Sequence, residues 1–404
     1  MEKVAPILFE SKSDCCACGA CENVCPKNAI AMREDERGFL FPTIDSTRCV
    51  GCGACVKVCP LKSAAATTAR PDVYAVKTKN AAELSRSASG GAFAAMARRV
   101  LESGGVVFGC ALNENVTPTH IQIDSVDALP KLQGSKYVQS SIGLIFRSAK
   151  EALKSGRTVL FSGTPCQCDG LRSYLGRDYD NLLCVELICH GVPSAAFFRA
   201  YLDLLEKRWN VKIVDVAFRD KKRGWGALLR FDCVDARGRA RRKYLSVGES
   251  YYYFYFYWGE NICRESCYRC PYANPNRKSD YTIGDYWGVQ RAHPEIDATN
   301  GVSVLLANTE KGKARLAEFA DYMELVESNF DDASRENGQL LAPTSKSANA
   351  DELWNAYLAG GAERLDREYR KRCGKMILKG KIKRSIPLPL KKWLKKAARL
   401  GFAK

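Results

Sequence analysis

One spacing constrains this chain more than any other feature. Cys15-x2-Cys18-x2-Cys21-x3-Cys25-Pro26 recurs 34 residues later as Cys49-x2-Cys52-x2-Cys55-x3-Cys59-Pro60. A cubic 4Fe-4S cluster needs four thiolates, and a C-x2-C-x2-C loop supplies three of them from one tight turn. In a paired arrangement of this kind the fourth cysteine of each run ligates the other cluster. The spacing therefore predicts one set made of Cys15, Cys18, Cys21 and Cys59, and a second made of Cys49, Cys52, Cys55 and Cys25. Gly19, Gly51 and Gly53 let backbone amides come near the sulfurs, and the proline after each fourth cysteine turns the chain away. Zinc binding or unrelated thiols are the alternative, and two complete runs with the same internal spacing argue against it. Cys16 fits neither run and reads as a bystander. Crossed ligation puts two clusters close together, which makes a conductor of single electrons with no substrate site of its own.

The rest of the composition narrows the class. Of 404 residues, 46% are hydrophobic and 26% charged, as in ordinary globular proteins, and the length suggests two or three domains. No run approaches the roughly 18 apolar residues of a membrane span. The first residues lack the basic start, apolar run and small-residue cleavage site of a secretory signal. A reducing, cytoplasmic setting is therefore expected, where the 19 cysteines mean metal or redox chemistry rather than disulfides. With only His120, His190 and His293 available, mechanisms that need several histidines are poorly supported. The net charge of +17 is local in origin. Residues 371–404 hold 13 of the 62 Lys/Arg and no Asp or Glu, leaving 49 basic against 45 acidic residues elsewhere.

From about residue 70 apolar, β-rich runs alternate with helical patterns. Strands are expected at 73–79, 105–112, 158–163, 182–188, 212–220 and 301–308, and helices at 92–103, near 143–154 and near 195–209. This alternation predicts an α+β or α/β unit around a mixed sheet. No GxGxxG follows a strand and no Walker A sequence is present. Ser87-Ala88-Ser89-Gly90-Gly91 stands before a helix and suits phosphate, although an ordinary N-cap looks the same. The loop Gln133-Gly134-Ser135-Lys136-Tyr137-Val138-Gln139-Ser140 suits a nucleotide or flavin edge, and a polar surface turn is its alternative. Cys166 and Cys189 each follow an apolar strand, and Cys267-x2-Cys270 lies farther on. Together they can form a third tetrathiolate site, for which zinc is the rival. Spacing alone does not choose, and Cys168, Cys184 and Cys263 are spare candidates. Tyr251–Trp258 is a run of eight aromatic residues, best read as a buried helix.

In this order, behind the double cysteine run, the stretches TPCQ, ICHGVPS, FRDKKRGW, SCYRCPYANPNRKSD and GDYWGV resemble the family of beta subunits of coenzyme F420-reducing hydrogenases and dehydrogenases. The first 69 residues resemble bacterial two-cluster ferredoxins. The family resemblance covers roughly residues 10–330 and implies bound FAD, iron–sulfur clusters, and electron or hydride exchange centred on the flavin. It assigns a third 4Fe-4S cluster to Cys166, Cys189, Cys267 and Cys270, with Cys263 a departure from the family pattern. It also implies flavin contacts from Ser87, Ser89, Gly90, Gly91, Gly134, Ser135, Lys136, Tyr137 and Gln139. Lys136, Arg219, Lys221 and Arg223 are candidates to face an anionic flavin or an acidic cofactor, with a solvated basic loop as the alternative.

The expected organisation is a two-cluster ferredoxin domain at 1–69, a mixed-sheet flavin and iron–sulfur domain at 70–330, and a helical, basic tail at 331–404. Residues 310–325 and 350–372 read as amphipathic helices flanking a polar, mobile stretch. At the end, Leu390, Trp393, Leu394, Ala397, Ala398 and Gly401 share one helical face opposite Lys391, Lys392, Lys395, Lys396 and Arg399, the pattern of an interfacial helix. Peripheral contact with the inner face of a membrane is one reading of the tail, an acidic redox partner another, and nucleic acid the least favoured. The function expected is an iron–sulfur flavoprotein oxidoreductase. It would join a redox partner (a ferredoxin, or one chain of a dehydrogenase or hydrogenase) to a small-molecule acceptor or donor. A non-catalytic electron-transfer subunit is the alternative, and a zinc-stabilised nucleic-acid binder the third possibility. No nucleophile or general base is legible, so no catalytic side chain is assigned.

Overall fold

The computed structural model describes residues 4–62, 70–226 and 228–386. Its centre is an eight-stranded mixed sheet built from β3 (Asp72–Thr78), β4 (Val106–Leu112), β5 (Pro118–Ile123), β6 (Val159–Gly163), β7 (Leu182–Leu187), β11 (Tyr281–Asp285), β12 (Ser303–Ala307) and β13 (Met323–Ser328), in the order β13-β3-β12-β11-β7-β6-β4-β5. The four middle strands β11, β7, β6 and β4 are parallel, and the strands on either side of them run antiparallel. Parallel strands are covered on both faces, so they read as unbroken apolar runs. All of β6 is buried, and β7 is buried up to its last residue. One face packs against helix α3 (Ala92–Glu102), which contributes Ala95, Met96 and Val100 to the core. The other face packs Phe108 and Phe161 against Phe146 and against Leu171 of helix α4 (Pro165–Leu175).

The N-terminal part is a hairpin of β1 (Ile30–Glu34) and β2 (Leu40–Ile44) with two short helices, α1 (Ala20–Val24) and α2 (Ala54–Lys57). Both helices start on a left-handed glycine, Gly19 at φ 80° and Gly53 at φ 71°. The internal repeat also shows in the backbone. Ala17 adopts φ 53° at the position matched by Gly51 at φ 70°. This part docks on the sheet layer. Cys18 and Ala20 enter the same core as Phe146 and Leu171. Arg147 donates to the carbonyls of Asn23 and Cys25, and buried Asn23 donates to Gly143 O at 2.7 Å.

A three-stranded antiparallel sheet, β8 (Val211–Ala217), β9 (Leu228–Asp235) and β10 (Ala240–Ser246), joins helix α5 (Ala195–Trp209) in a separate aromatic core. The aromatic run forms one turn of α-helix followed by a π-helical turn at Phe254–Trp258, with Tyr251, Tyr252, Tyr253, Tyr255 and Phe256 buried as expected. Helix α6 (Ala350–Ser385) is interrupted at Gly360–Gly361 and brings Trp354 and Tyr369 onto the same core.

Two expectations fail here. Residues 310–325 are not one amphipathic helix, because the helix stops at Phe319 and Met323–Ser328 is an edge strand on β3. The polar stretch near 331–349 is anchored, since Ala333 and Leu340 are fully buried against β3 and β12. The apolar–basic pattern from Leu390 to Gly401 lies outside the described residues.

Candidate functional site

The N-terminal thiols gather as two crossed groups. Cys25, from the first run, shares a small apolar pocket with Cys49, Cys52 and Cys55 of the second. Cys15, Cys21 and Cys59 repel one another electrostatically, and Cys18 feels Cys21. Burial, reinforced by Cys15 and Cys59, pushes the Cys21 thiol up to about 12. A crowd of buried thiolates is unstable alone and is satisfied by a cationic metal centre. The backbone is arranged for charged sulfur: the Ala29 amide donates to Cys25 Sγ at 3.2 Å, and Ala17, Ala20 and Glu22 amides support Cys15, Cys18 and Cys21. Cys52 is exposed, so the second group lies at the surface, while Cys18 is buried beside α4. These residues fit two 4Fe-4S clusters.

The third group forms where the parallel strands end. Ligands of open α/β sheets bind outside the carboxyl ends of the strands, and β6, β7 and β11 all point their carboxyl ends at one cavity of about 820 Å³. After β6, Thr164 caps α4: its amide and its hydroxyl both donate to Gln167 Oε1, and Pro165 occupies the first turn. That cap sets Cys166 on the cavity wall. Cys189 follows β7, and Cys267 and Cys270 come from the short helical turn Glu265–Arg269 and its end. Burial and the neighbouring Cys166 push Cys189 up to about 12, and the same two causes push Cys270 up to about 11. Cys263 does not line the cavity; it lies behind Gly191, where an added Cβ would sit 2.7 Å from its sulfur. Cys168 and Cys184 are buried in the sheet core. Cys16, which fits neither run, also lines the cavity; against the downward pull of its neighbour Cys166, Cys18 and burial push its thiol up.

The two glycine-containing loops reach the same cavity. Ser87, Ser89, Gly91, Gly134, Ser135, Lys136, Tyr137 and Gln139 all line it. Gly90 does not; a Cβ there would lie 2.2 Å from Val76 O and 2.4 Å from Ser303 N, so its role is close packing on the sheet. Gly91 caps α3 at φ 85° with no side-chain cap, which leaves the first amides of that helix free of a side-chain acceptor beside the cavity. The basic side chains are already engaged by the protein. Lys136 donates to the carbonyls of Lys131 and Gln133, and Lys221 to those of Leu84 and Ser89. Burial lowers Lys221 to about 8. Arg219 pairs with Asp285 at 2.8 Å and donates to the Tyr137 hydroxyl, and Arg223 donates to Ile386 O. Asp285 also accepts from Trp225 Nε1, and Trp225 stacks on Trp287 at 4.8 Å and 6°. Trp287 lines the cavity.

Sequence reasoning missed two parts of the wall. His120 donates from Nε2 to Ser162 O, because a carbonyl can only accept, and so accepts from the Ser140 hydroxyl at Nδ1. Burial drops this histidine to about 4, and it is neutral. The other is Arg264, fully buried between the N-terminal thiols and the cavity. A lone arginine between Cys263 and Cys267 carries no spacing signal; only its place among cysteines hints at a role.

The fold and the crossed cysteines define an iron–sulfur electron-transfer protein. Residues 14–63 match the family model described as 4Fe-4S dicluster domain, and residues 156–333 match the model for the C terminus of the beta subunit of coenzyme F420 hydrogenase/dehydrogenase. The chain thus has a segment that matches a 4Fe-4S dicluster domain, followed by one that matches the C-terminal region of coenzyme F420 hydrogenase/dehydrogenase beta subunits. It is 26% identical over 200 residues to the F subunit of F(420)H(2) dehydrogenase from Methanosarcina mazei, an alignment that takes in 44% of this chain and 55% of the relative. The chain therefore spans about half the length of the curated relative it matches. Among solved structures it is similar to a chain of the xenon-derivatised F420-reducing NiFe hydrogenase complex from Methanosarcina barkeri. There the identity is 15%, the coverage 76% of this chain and 91% of that chain, and the TM-score 0.40.

Proposed function

We propose that this chain is an iron–sulfur flavoprotein oxidoreductase that passes electrons between a redox partner and a small-molecule acceptor or donor. Two 4Fe-4S clusters occupy the N-terminal cysteine sets, a third is held by Cys166, Cys189, Cys267 and Cys270, and FAD lies in the adjoining cavity. The observation that carries the reading is that four thiols and two glycine-containing loops share the walls of one cavity. Its volume of about 820 Å³ lies in the range of cofactor sites. Bound flavin supplies two-electron exchange with substrate and one-electron exchange with clusters. The protein's part is positional. Free amides at the start of α3 suit a phosphate, Tyr137 and Trp287 offer aromatic faces, and the Arg219–Asp285 pair fixes Tyr137 and Trp225. The domain division at 69 and 330 belongs to the same proposal.

Electrons enter or leave at the exposed set around Cys52. Lys27 lines the pocket of that set, and residues 46–62, which include Arg48 and Lys57, contain no Asp or Glu. A redox partner with an acidic face fits that charge. The basic end of the chain, 387–404, is assigned to peripheral contact with an anionic membrane surface. No helix among the described residues is long and apolar enough to cross a membrane. Co-sedimentation of full-length and 1–370 protein with anionic vesicles tests this, and equal partitioning removes it.

A second reading, a relay chain without substrate turnover, is favoured by the relative from Methanosarcina mazei, which is one subunit of a dehydrogenase. Anaerobic purification with iron, sulfide and flavin analysis tests the cofactors. Three full clusters and one flavin per chain are the expected content. Turnover by the isolated chain with an artificial one-electron donor then separates enzyme from relay. Protein carrying iron but no flavin defeats the flavoprotein reading.

A further inference from the structure

A buried cation without a carboxylate partner needs explanation, because sealing a charge away from water costs several kcal/mol unless an opposite charge answers it. Arg264 is 1% exposed. Its Nε donates to Cys15 O at 2.7 Å and its Nη1 to Gln139 Oε1 at 3.2 Å, both neutral acceptors. Nη2 is buried with no hydrogen-bond partner among the described residues. The guanidinium lies over Phe41 at 4.1 Å and Phe39 at 5.8 Å, which fixes its plane and excludes water. It sits among sulfurs: its Nε is bonded to the backbone of Cys15, and it lines the cavity together with Cys16, Cys166 and Cys267. Gln139, which orients Nη1, also donates to Cys16 O, so one buried network grips the Cys15–Cys16 backbone where the N-terminal part meets the cavity.

We propose that Arg264 is a positioning residue for electron transfer, whose buried charge raises the reduction potential of the cluster on Cys15, Cys18, Cys21 and Cys59. The two N-terminal sets differ in surroundings. The Cys49–Cys52–Cys55 set is exposed at Cys52, whereas no cysteine of the Cys15 set is exposed and Cys18 is buried in the core beside α4. Reduction adds one electron and one negative charge, with no bond made or broken. Burial disfavours that charge, so without compensation the inner cluster would lie uphill of the outer one and stop the current. Arg264 is the compensating charge, and its buried Nη2 has no acceptor among the described residues. This inference rests on the iron–sulfur reading above.

The test uses the full-length, anaerobically purified holoprotein, titrated with dithionite and followed by electron paramagnetic resonance. Cys52→Ser perturbs only the outer cluster and so assigns the two N-terminal signals. Arg264→Gln is expected to lower the inner midpoint by at least about 59 mV, a tenfold change in a one-electron equilibrium, while the outer midpoint stays fixed. Arg264→Lys keeps the charge and restores most of the loss. If Arg264→Gln fails to retain iron, Gln139→Glu carries the test, because it neutralises the guanidinium without opening a hole and is expected to lower the same midpoint. Inner midpoints unchanged across the variants, or both midpoints shifting equally, overturn the proposal. Wild-type protein without iron and sulfide overturns the iron–sulfur reading itself.

Discussion

At the scale of single residues, the contact between the N-terminal part and α4 is close enough to be broken by one methyl group. A Cβ on Gly170 would lie 2.8 Å from Cys18 Cβ and 3.0 Å from its sulfur. Gly170→Ala is therefore expected to destabilise the holoprotein by about 1–3 kcal/mol, as overpacking does. It should also broaden the spectrum of the inner N-terminal cluster more than that of the outer one. Thermal unfolding and electron paramagnetic resonance of the reduced protein check both. The two N-terminal cysteine runs are legible in the sequence because a cubic cluster dictates their spacing along the chain. Arg264 and Gly170 are not, since their roles exist only once the N-terminal part has docked on α4, and docking leaves no local pattern. Gly90 and Gly91 illustrate the same limit. Both belong to one glycine-containing motif, yet Gly91 faces the cavity and Gly90 packs on β3 and β12.

At the scale of elements, legibility follows burial. The interior strands β4, β6, β7 and β12 read directly as continuous apolar runs, because both their faces are covered. The strand β13 does not: MELVES lies on the sheet edge with only Met323 buried, and its charges imitate a helix surface. The hairpin of β9 and β10 escapes sequence reasoning for a related reason. It is laced by charge, with Arg230 paired to Asp215, Asp220 and Asp232, and Arg242 to Asp232, so its outer strand carries little apolar alternation. Charge also fixes the end of α6. Glu249 receives both Nε and Nη2 of Arg384, at 2.9 and 3.0 Å, as well as the Ser246 amide. Burial alone would raise this carboxyl, but those hydrogen bonds outweigh it and hold it below its ordinary 4.5. A depressed acid stabilises fully above the unfolded value and loses that contribution as pH falls through the folded one. The last turns of α6 are therefore expected to stay protected from hydrogen exchange near neutrality and to open below about pH 4.5. Glu249→Gln should open them at neutral pH; exchange measured on peptides spanning 372–386 decides it.

At the scale of the whole molecule, the proposed function makes the cavity and the surface set the two ends of one path. An acidic donor steered to Lys27, Arg48 and Lys57 should lose speed as salt screens the approach. Its second-order rate is expected to fall about tenfold from low salt to about 0.5 M, with little change in any step inside the protein. Stopped-flow reduction across a salt series measures this, and a flat profile would place entry elsewhere. The parts also differ in what holds them together. The large sheet has continuous cores on both faces, while the stretch up to Lys62 has a length at which an apolar core is marginal by itself. Its buried residues include Ala17, Ala20, Ala29, Ile30 and Val58, mostly small side chains that make a thin apolar core. Its stability should come mainly from the clusters, whose binding energy is folding energy. Phe39 and Phe41 are the exception, since they join the aromatic core with Trp354 and anchor the hairpin from outside. Removing iron with a chelator under oxidation, then reducing the thiols, is thus expected to expose residues 12–28 and 46–62 to exchange within seconds. The β1–β2 hairpin should keep partial protection and the sheet strands β4, β6 and β7 nearly all of theirs. Equal loss in β6 and in the cysteine loops would mean that the clusters support the whole fold and that the two parts do not unfold independently.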